Sequence, residues 1–185
     1  MTPVAHHGSN IRLFVLCGLP FSGKTTLARA LARQLPLEHI EVDAVHRERG
    51  VPAAGRALGP PDWRAAYVRS RRRAPLTLRQ GSSVIFDAMS HRRGQREQLQ
   101  RPAQERGAPM TIIYLDLPLA EINRRRADNL QAPHRPAIPD AEFNRVAEQF
   151  EPPQPLDGIV VRYTAQHSFE TWIAQVLSTR VKEQL

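Results

Sequence analysis

The stretch Gly18-Leu19-Pro20-Phe21-Ser22-Gly23-Lys24-Thr25-Thr26 holds the residues whose types and spacing point most directly to chemistry. Two glycines five apart, followed by a lysine and two hydroxyl residues, match G-x-x-x-x-G-K-[ST], the pattern that wraps the phosphates of a nucleoside triphosphate. Glycines let the backbone turn tightly enough for successive N–H groups to face inward, and the positive end of the following helix adds to their pull on phosphate. Gly18, Pro20, Ser22, Gly23, Lys24, Thr25 and Thr26 are therefore the candidate nucleotide-binding residues. Lys24 is expected at the β- and γ-phosphates, and Thr25 is expected to place its hydroxyl on a magnesium ion. The lysine is itself informative. The chain has 24 arginines and two lysines, so compositional bias favours a guanidinium at this position, whereas phosphoryl transfer suits a compact, mobile charge better than a planar fork.

A phosphate loop does not name a reaction, because many chemistries share it. The residues around it must decide. HIEVD ends a predicted strand at Asp43, at the sheet edge where open α/β folds bind ligands. A carboxylate there can take the proton from a hydroxyl attacking the γ-phosphate, or it can cap a helix or meet magnesium through water. SVIFD closes another apolar run in Asp87, a candidate to serve magnesium or to orient the site. No glutamate follows it: Ala88, Met89 and Ser90 come next, so the water-activating residue of motor-type ATPases is missing. No guanine-reading NKxD motif is present either, which favours ATP. Arg124, Arg125 and Arg126 fall on a predicted helix. Successive residues there point about 100° apart, so one or two of them can face the phosphates and neutralise charge on the transferred group. Arg124 and Arg125 are the candidates.

The elements that must position these groups follow from the apolar pattern. Runs of strand length lie at 12–17, 39–42, 83–86, 111–117 and 158–163, with stretches of helix length between them. This alternation predicts an α/β protein with a parallel sheet and crossover helices. A first helix is expected from about Gly23 to Gln34, with Leu27, Ala30, Leu31 and Leu35 turned inward and Pro36 as its stop. A second begins near Pro61-Asp62, with Trp63, Ala66, Tyr67 and Ser70 on one face, the aromatics serving either core or cleft wall. A short helix is expected around Ala141 to Gln149. GVPAAGRALGPP, at 50–61, reads as a loop able to move, and ADNLQAPHRPAIPD as a lid-like segment. Residues 1–10 read as a loose tail and 11–185 as one domain, with the lid at about 124–140.

Composition narrows the partners. Of 26 basic and 18 acidic residues, fourteen arginines and six acids lie between Asp43 and Arg106, so the net charge of +8 resides wholly in that middle third. The run RSRRR, Arg69 to Arg73, is either a solvated helix face or part of a patch for a phosphorylated or polyanionic partner. At 185 residues and 41% hydrophobic, the chain suits one soluble domain, and no apolar run reaches the ~20 residues of a membrane span. The N-terminus lacks the charge and apolar stretch of a secretory signal, so a cytoplasmic protein without a membrane partner is expected. The lone Cys17 ends an apolar strand, where a small thiol packs well.

With these residues in view, the chain resembles the compact P-loop kinases that include polynucleotide 5′-hydroxyl kinases, chloramphenicol phosphotransferase and zeta toxins. The resemblance rests on GLPFSGKTT at 18–26, VD at 42–43, G-x-x-VIFDA at 81–88, LDLPLAEINRR at 115–125 and FEPPQPLDG at 150–158. It implies a nucleoside-monophosphate-kinase-like P-loop NTPase fold with five parallel strands, the phosphate loop on the central one and a small lid. It also implies Asp43 as general base, with Lys24 and Thr25 on the ATP and magnesium positions. Two places depart from the pattern. An arginine often stands three residues after the base, and here that residue is His46, followed by Arg47. A second lid arginine often stands four residues after the first, and here those places hold Asp128 and Asn129, leaving Arg135 as a substitute. The expected activity is transfer of the γ-phosphate of ATP, with Mg2+, to a hydroxyl of a small molecule, nucleotide or polynucleotide, anionic by preference. Arg47, His91 and Arg92 are the candidate acceptor contacts. The same loop would also serve an ATPase or nucleotide switch with no separate acceptor.

Overall fold

The computed structural model describes residues 11–47 and 60–176, with the side chains of 46, 47 and 60–62 outside that description. The expected N-terminal tail and most of the expected loop at 50–61 lie outside the described residues. Five strands, β1 (Leu13–Cys17), β2 (Leu37–Glu41), β3 (Ser83–Asp87), β4 (Met110–Leu115) and β5 (Ile159–Tyr163), form one sheet in the order β2-β3-β1-β4-β5. All the pairings are parallel. This is the α/β architecture the alternation predicts, with the phosphate-loop strand in the middle.

β1 is buried at all five positions, as a central strand covered on both faces must be, and this is why its sequence is continuously apolar rather than alternating. Its odd-numbered side chains, Leu13, Val15 and Cys17, pack in one core with Phe86, Ile112 and Ala66. Its even-numbered ones, Phe14 and Leu16, pack in a second core with Leu27, Leu31 and Ile122. The helices α1 (Lys24–Gln34), α2 (Val42–Arg47), α3 (Pro60–Arg79), α4 (Arg93–Gln104), α5 (Leu119–Gln131), α6 (Asp140–Glu148) and α7 (Phe169–Val176) cover the two faces. α1 buries Leu27, Ala30 and Leu31, the predicted stripe, and ends at an extended Leu35, the backbone state that the following proline favours. Among the described residues no helix is long and apolar enough to cross a membrane.

Two readings shift. β2 starts two residues earlier than its apolar run and stops at Glu41, because Val42 turns into α2 and buries there at 5% exposure. Asp43 thus sits in the first turn of a short helix rather than at a strand end. On α3, Ala66 and Ser70 are fully buried, while Tyr67 packs edge-on against Phe86 at 5.7 Å and donates its hydroxyl to the Gln95 carbonyl at 3.2 Å. Tyr67 is a core residue, and burial raises its pKa to about 12.

Candidate functional site

The turn from β1 into α1 is built by its glycines. A Cβ on Gly18 would lie 2.9 Å from Ser22 Oγ and 3.0 Å from the Leu115 carbonyl oxygen, so only glycine fits. Gly23, at φ 98°, hands the chain into α1 from the left-handed region, and Phe21 is held at φ 66°, a costly state for a side chain of that size. Pro20 and Ser22 are buried, Thr25 is half-buried and Thr26 is exposed. Lys24 is buried, and its ammonium donates to the carbonyls of Gly18 at 3.0 Å and Leu19 at 2.7 Å and to Ser22 Oγ at 3.4 Å. Burial lowers its pKa to about 8, partly offset by Asp87.

Around Lys24 lie groups drawn from distant segments. Asp43 has its pKa raised by burial, opposed chiefly by the positive charge of Arg135 and reinforced by the negative charge of Asp87. Lys24 in turn feels Asp87, Arg135 and Asp43. These four charges form one interacting set. Because β3 is the immediate neighbour of β1, the Asp87 carboxylate ends one strand away from the loop. Asp87 is 4% exposed, and one of its oxygens meets His39 Nε2 at 3.0 Å. His39, Glu41 and Asp87 each offer a ligand atom, all within 4.8 Å of one another, and Glu41 also pairs with Arg29 at 3.2 Å. The Asp87 carboxylate and the Thr25 hydroxyl are oxygen donors of the hard kind that magnesium prefers.

The expected acceptor contacts separate. His91 is buried, with Nδ1 lacking a hydrogen-bond partner. Burial lowers its pKa to about 4, with Arg92 and Arg145 acting in the same direction, so it is neutral at pH 7. Arg92 is exposed and its guanidinium bonds Gln149. Arg47 ends α2, and its side chain lies outside the described residues. Arg96 stands within the arginine-rich segment but is a structural residue. It is 1% exposed, donates to the carbonyls of Ser90 at 3.1 Å and Glu151 at 3.0 Å, and pairs with the buried Asp157 at 3.0 Å.

The adjacent arginines of α5 also divide. Arg125 donates to the carbonyls of Ser22 at 3.1 Å and Phe21 at 3.4 Å, which puts it on the phosphate loop. Arg124 is bonded to Glu121 and Asp128 on the exposed surface, so its recorded bonds lie away from that loop. Glu121 receives both arginines, and their hydrogen bonds lower its pKa to about 2. Arg126 pairs with Asp140 and stacks 4.0 Å over Phe143, joining α5 to α6. From the segment between α5 and α6, Arg135 lays its guanidinium 4.6 Å from the Phe21 ring centroid.

The sequence profile described as an AAA domain matches residues 13–153, more than half of the chain. The chain belongs to the AAA domain family. Within that family it is a kinase-type P-loop NTPase, a nucleotide-binding phosphotransferase fold. The adenylyl-sulfate kinase of Myxococcus xanthus is 30% identical over 176 residues, covering 92% of this chain and 91% of that protein. A gluconokinase structure from Sinorhizobium meliloti superimposes with a TM-score of 0.67 at 18% identity, covering 95% of each chain. The Mycobacterium tuberculosis APS kinase, solved with AMPPNP and APS, gives 0.63 at 18% identity and covers 91% of this chain and 96% of that one. At such identities the two structures establish a shared fold.

Two residues that bond these groups, His39 to Asp87 and Asn129 to the backbone of Arg135, escape sequence reasoning. His39 carries a signal only in hindsight: it shares a strand face with Glu41 by the period of two, but its contact with Asp87 depends on β2 pairing with β3. Asn129 appears in the sequence only as the absence of an arginine.

Proposed function

We propose that the protein transfers the γ-phosphate of ATP to a hydroxyl of an anionic small molecule or nucleotide, with Asp43 as general base. The observation that carries this reading is the placement of the Asp43 carboxyl, half-buried and with its pKa raised, in the same charge set as Lys24, Asp87 and Arg135. A raised pKa brings a carboxylate closer to the range in which it can both exist as a base and accept a proton usefully. In the reaction, the acceptor oxygen forms a bond to the γ-phosphorus while the bond from that phosphorus to the β,γ-bridging oxygen breaks. The acceptor's proton passes to Asp43, and ADP carries away the bridging oxygen. Lys24 and Arg125 hold and neutralise the phosphates, and Arg135 adds charge from the lid. Thr25 and Asp87 would hold magnesium, which neutralises phosphate charge when bound.

On the acceptor side, the neutral His91 offers an unpaired ring nitrogen to a polar group of the acceptor, and Arg92 and Arg47 supply positive charge. The relative from Myxococcus xanthus makes adenylyl sulfate, an anionic nucleotide with free ribose hydroxyls, the first acceptor to test. The resemblance of the motifs at 18–26, 42–43, 81–88, 115–125 and 150–158 to those of polynucleotide 5′-hydroxyl kinases makes an oligonucleotide the second acceptor to test. The decisive experiment is Asp43→Asn, assayed with labelled ATP against adenylyl sulfate, gluconate and a 5′-hydroxyl oligonucleotide. Transfer is expected to fall by about 10²–10⁴-fold, the usual contribution of a positioned base, while Mg-ATP still binds. Undiminished transfer in the variant would remove Asp43 from the role. Slow ATP hydrolysis unaltered by Asp43→Asn, with no acceptor labelled, would favour a nucleotide switch.

A further inference from the structure

We infer that Asn129 is a positioning residue: it clamps the turn after α5 and thereby delivers the Arg135 guanidinium to the phosphate loop. Asn129 lies in the last turn of α5 and is 7% exposed, on the face that also buries Ile122, an unusual burial for an amide side chain. Its hydrogen bonds explain the burial. Oδ1 accepts from the backbone N–H of His134 at 3.1 Å and of Arg135 at 3.2 Å, and Nδ2 donates to the Arg135 carbonyl at 3.1 Å. Both lone pairs of the amide oxygen and one of its N–H groups are thus used on two consecutive residues, a set that asparagine can supply and aspartate cannot, since a carboxylate has no donor. Because the donor and acceptor atoms grip Arg135 at both its N–H and its C=O, the direction in which its side chain leaves the backbone is set by Asn129.

That direction is the functionally relevant one. The Arg135 guanidinium lies 4.6 Å from the Phe21 ring centroid, and Phe21 is the loop residue held at positive φ. Arg135 is also the largest opposing charge on Asp43 and a neighbouring charge on Lys24. The far end of the lid is anchored separately, by Ile138 against the second core and by Arg126 on Asp140 and Phe143. The exposed residues between these anchors have few other attachments among the described contacts, so the clamp is what fixes Arg135 at its end of the segment. A cation that must be in place before the phosphates arrive is worth more when its backbone is already ordered.

This rests on reading Arg135 as a lid cation for the phosphates, and the test separates the two ideas. Mg-ATP affinity is measured for Arg135→Ala, Asn129→Ala, Asn129→Asp and the Asn129→Ala/Arg135→Ala pair, with amide hydrogen exchange followed across residues 132–138. Arg135→Ala is expected to weaken Mg-ATP by about tenfold, within the range of a charge-assisted phosphate contact. Asn129→Ala is expected to lose part of the same factor, and the double variant to bind no worse than Arg135→Ala alone, since residues acting as a unit are not additive. Exchange at the His134 and Arg135 amides should quicken in Asn129→Ala and stay slow in Asn129→Asp, which keeps the acceptor oxygen. Additive losses, or Asn129→Ala with unchanged affinity and unchanged exchange, would overturn the clamp alone. Unchanged affinity in Arg135→Ala would overturn the reading on which the clamp rests.

Discussion

The two sides of the site are assembled differently. The donor cradle, residues 17–26, comes from one stretch of chain with many internal bonds: Lys24 bonds the carbonyls of Gly18 and Leu19, and the Ser22 amide bonds the Leu19 carbonyl at 3.2 Å. The groups proposed for the acceptor side have no such continuity. Asp43 comes from α2, Asp87 from the end of β3, His91 from the segment before α4, and Arg135 from the lid. A cradle made by one loop depends on local backbone geometry, so its shape survives wherever a strand feeds a helix. A wall made by four segments depends on the sheet order and on buried ties such as Arg96–Asp157, and it can be altered by replacing a single residue. This division of labour suits a fold in which the donor stays constant while the acceptor varies.

The largest expected effect tests whether the cradle tolerates a change of cation. Lys24→Arg keeps the charge, but the guanidinium is longer and planar and must fit a buried site lined by two carbonyls and Ser22 Oγ. Transfer is expected to fall by about 10³-fold, comparable to losing a main charge-stabilising group. The pH profile of the unaltered protein bears on the same side. Burial depresses the Lys24 pKa to about 8, so above that pH the free protein loses its ammonium and kcat/KM should decline. Bound phosphate favours the charged form, so the alkaline limb of kcat should lie higher than that of kcat/KM. On the acid side, Asp43 in its proposed role as base works ionised, and its raised pKa would move the loss of activity upward from the ordinary carboxylate range as pH falls. Superimposable alkaline limbs for the two parameters would take Lys24 out of phosphate binding.

A second test concerns the wall. Arg96→Ala takes from the buried Asp157 carboxylate its buried guanidinium partner, leaving it Arg93 at 3.4 Å and the Gln154 N–H, and removes a donor from each of the Ser90 and Glu151 carbonyls. Breaking a buried pair from one side costs about 3–5 kcal/mol, and for a chain of this length that corresponds to a fall in Tm of roughly 6–20 °C. Replacing both partners with leucine should cost less than the single change, since no charge is then left buried alone. If Arg96→Ala melts like the parent, Arg96 is not what ties the segment after β3 to the chain at Glu151 and Asp157.

The same contrast explains what could be read beforehand. The P-loop was legible because its own glycines, lysine and threonines are neighbours in sequence, and the strand–loop–helix context was visible in the apolar run before it and the inward stripe after it; its ties to Leu115 and Arg125 were not. The sheet was legible from five apolar runs. The role of Arg96 was not, because its charge matched the surrounding arginines and its partner stands 61 residues away. Asp43 was expected at a strand end and lies in the first turn of α2, since β2 stops at Glu41 and Val42 buries as the first residue of that helix, and an apolar residue just after a strand looks like more strand. The lid showed its prolines but not its clamp, because an asparagine at the end of a helix has many local uses and only the fold selects one.

The smallest expected effect is the sharpest on this point, because it compares neighbours that sequence alone cannot rank. Arg125 bonds the carbonyls of Phe21 and Ser22, whereas Arg124 bonds Glu121 and Asp128 with most of its side chain in water. Arg125→Ala removes both donors from the turn that carries Phe21 at positive φ, and about tenfold weaker Mg-ATP binding is expected from losing charge-assisted bonds of this kind. Arg124→Ala removes two exposed ion pairs, which are screened by salt and contribute little. It also leaves Glu121 with a single arginine, which strengthens the claim of Arg125 on that carboxylate rather than weakening it. Mg-ATP affinity and transfer in Arg124→Ala should therefore stay close to the parent's at moderate salt. A loss in Arg124→Ala matching that in Arg125→Ala would mean that α5 turns when nucleotide binds, and that the assignment of the two arginines belongs to the closed form of the lid.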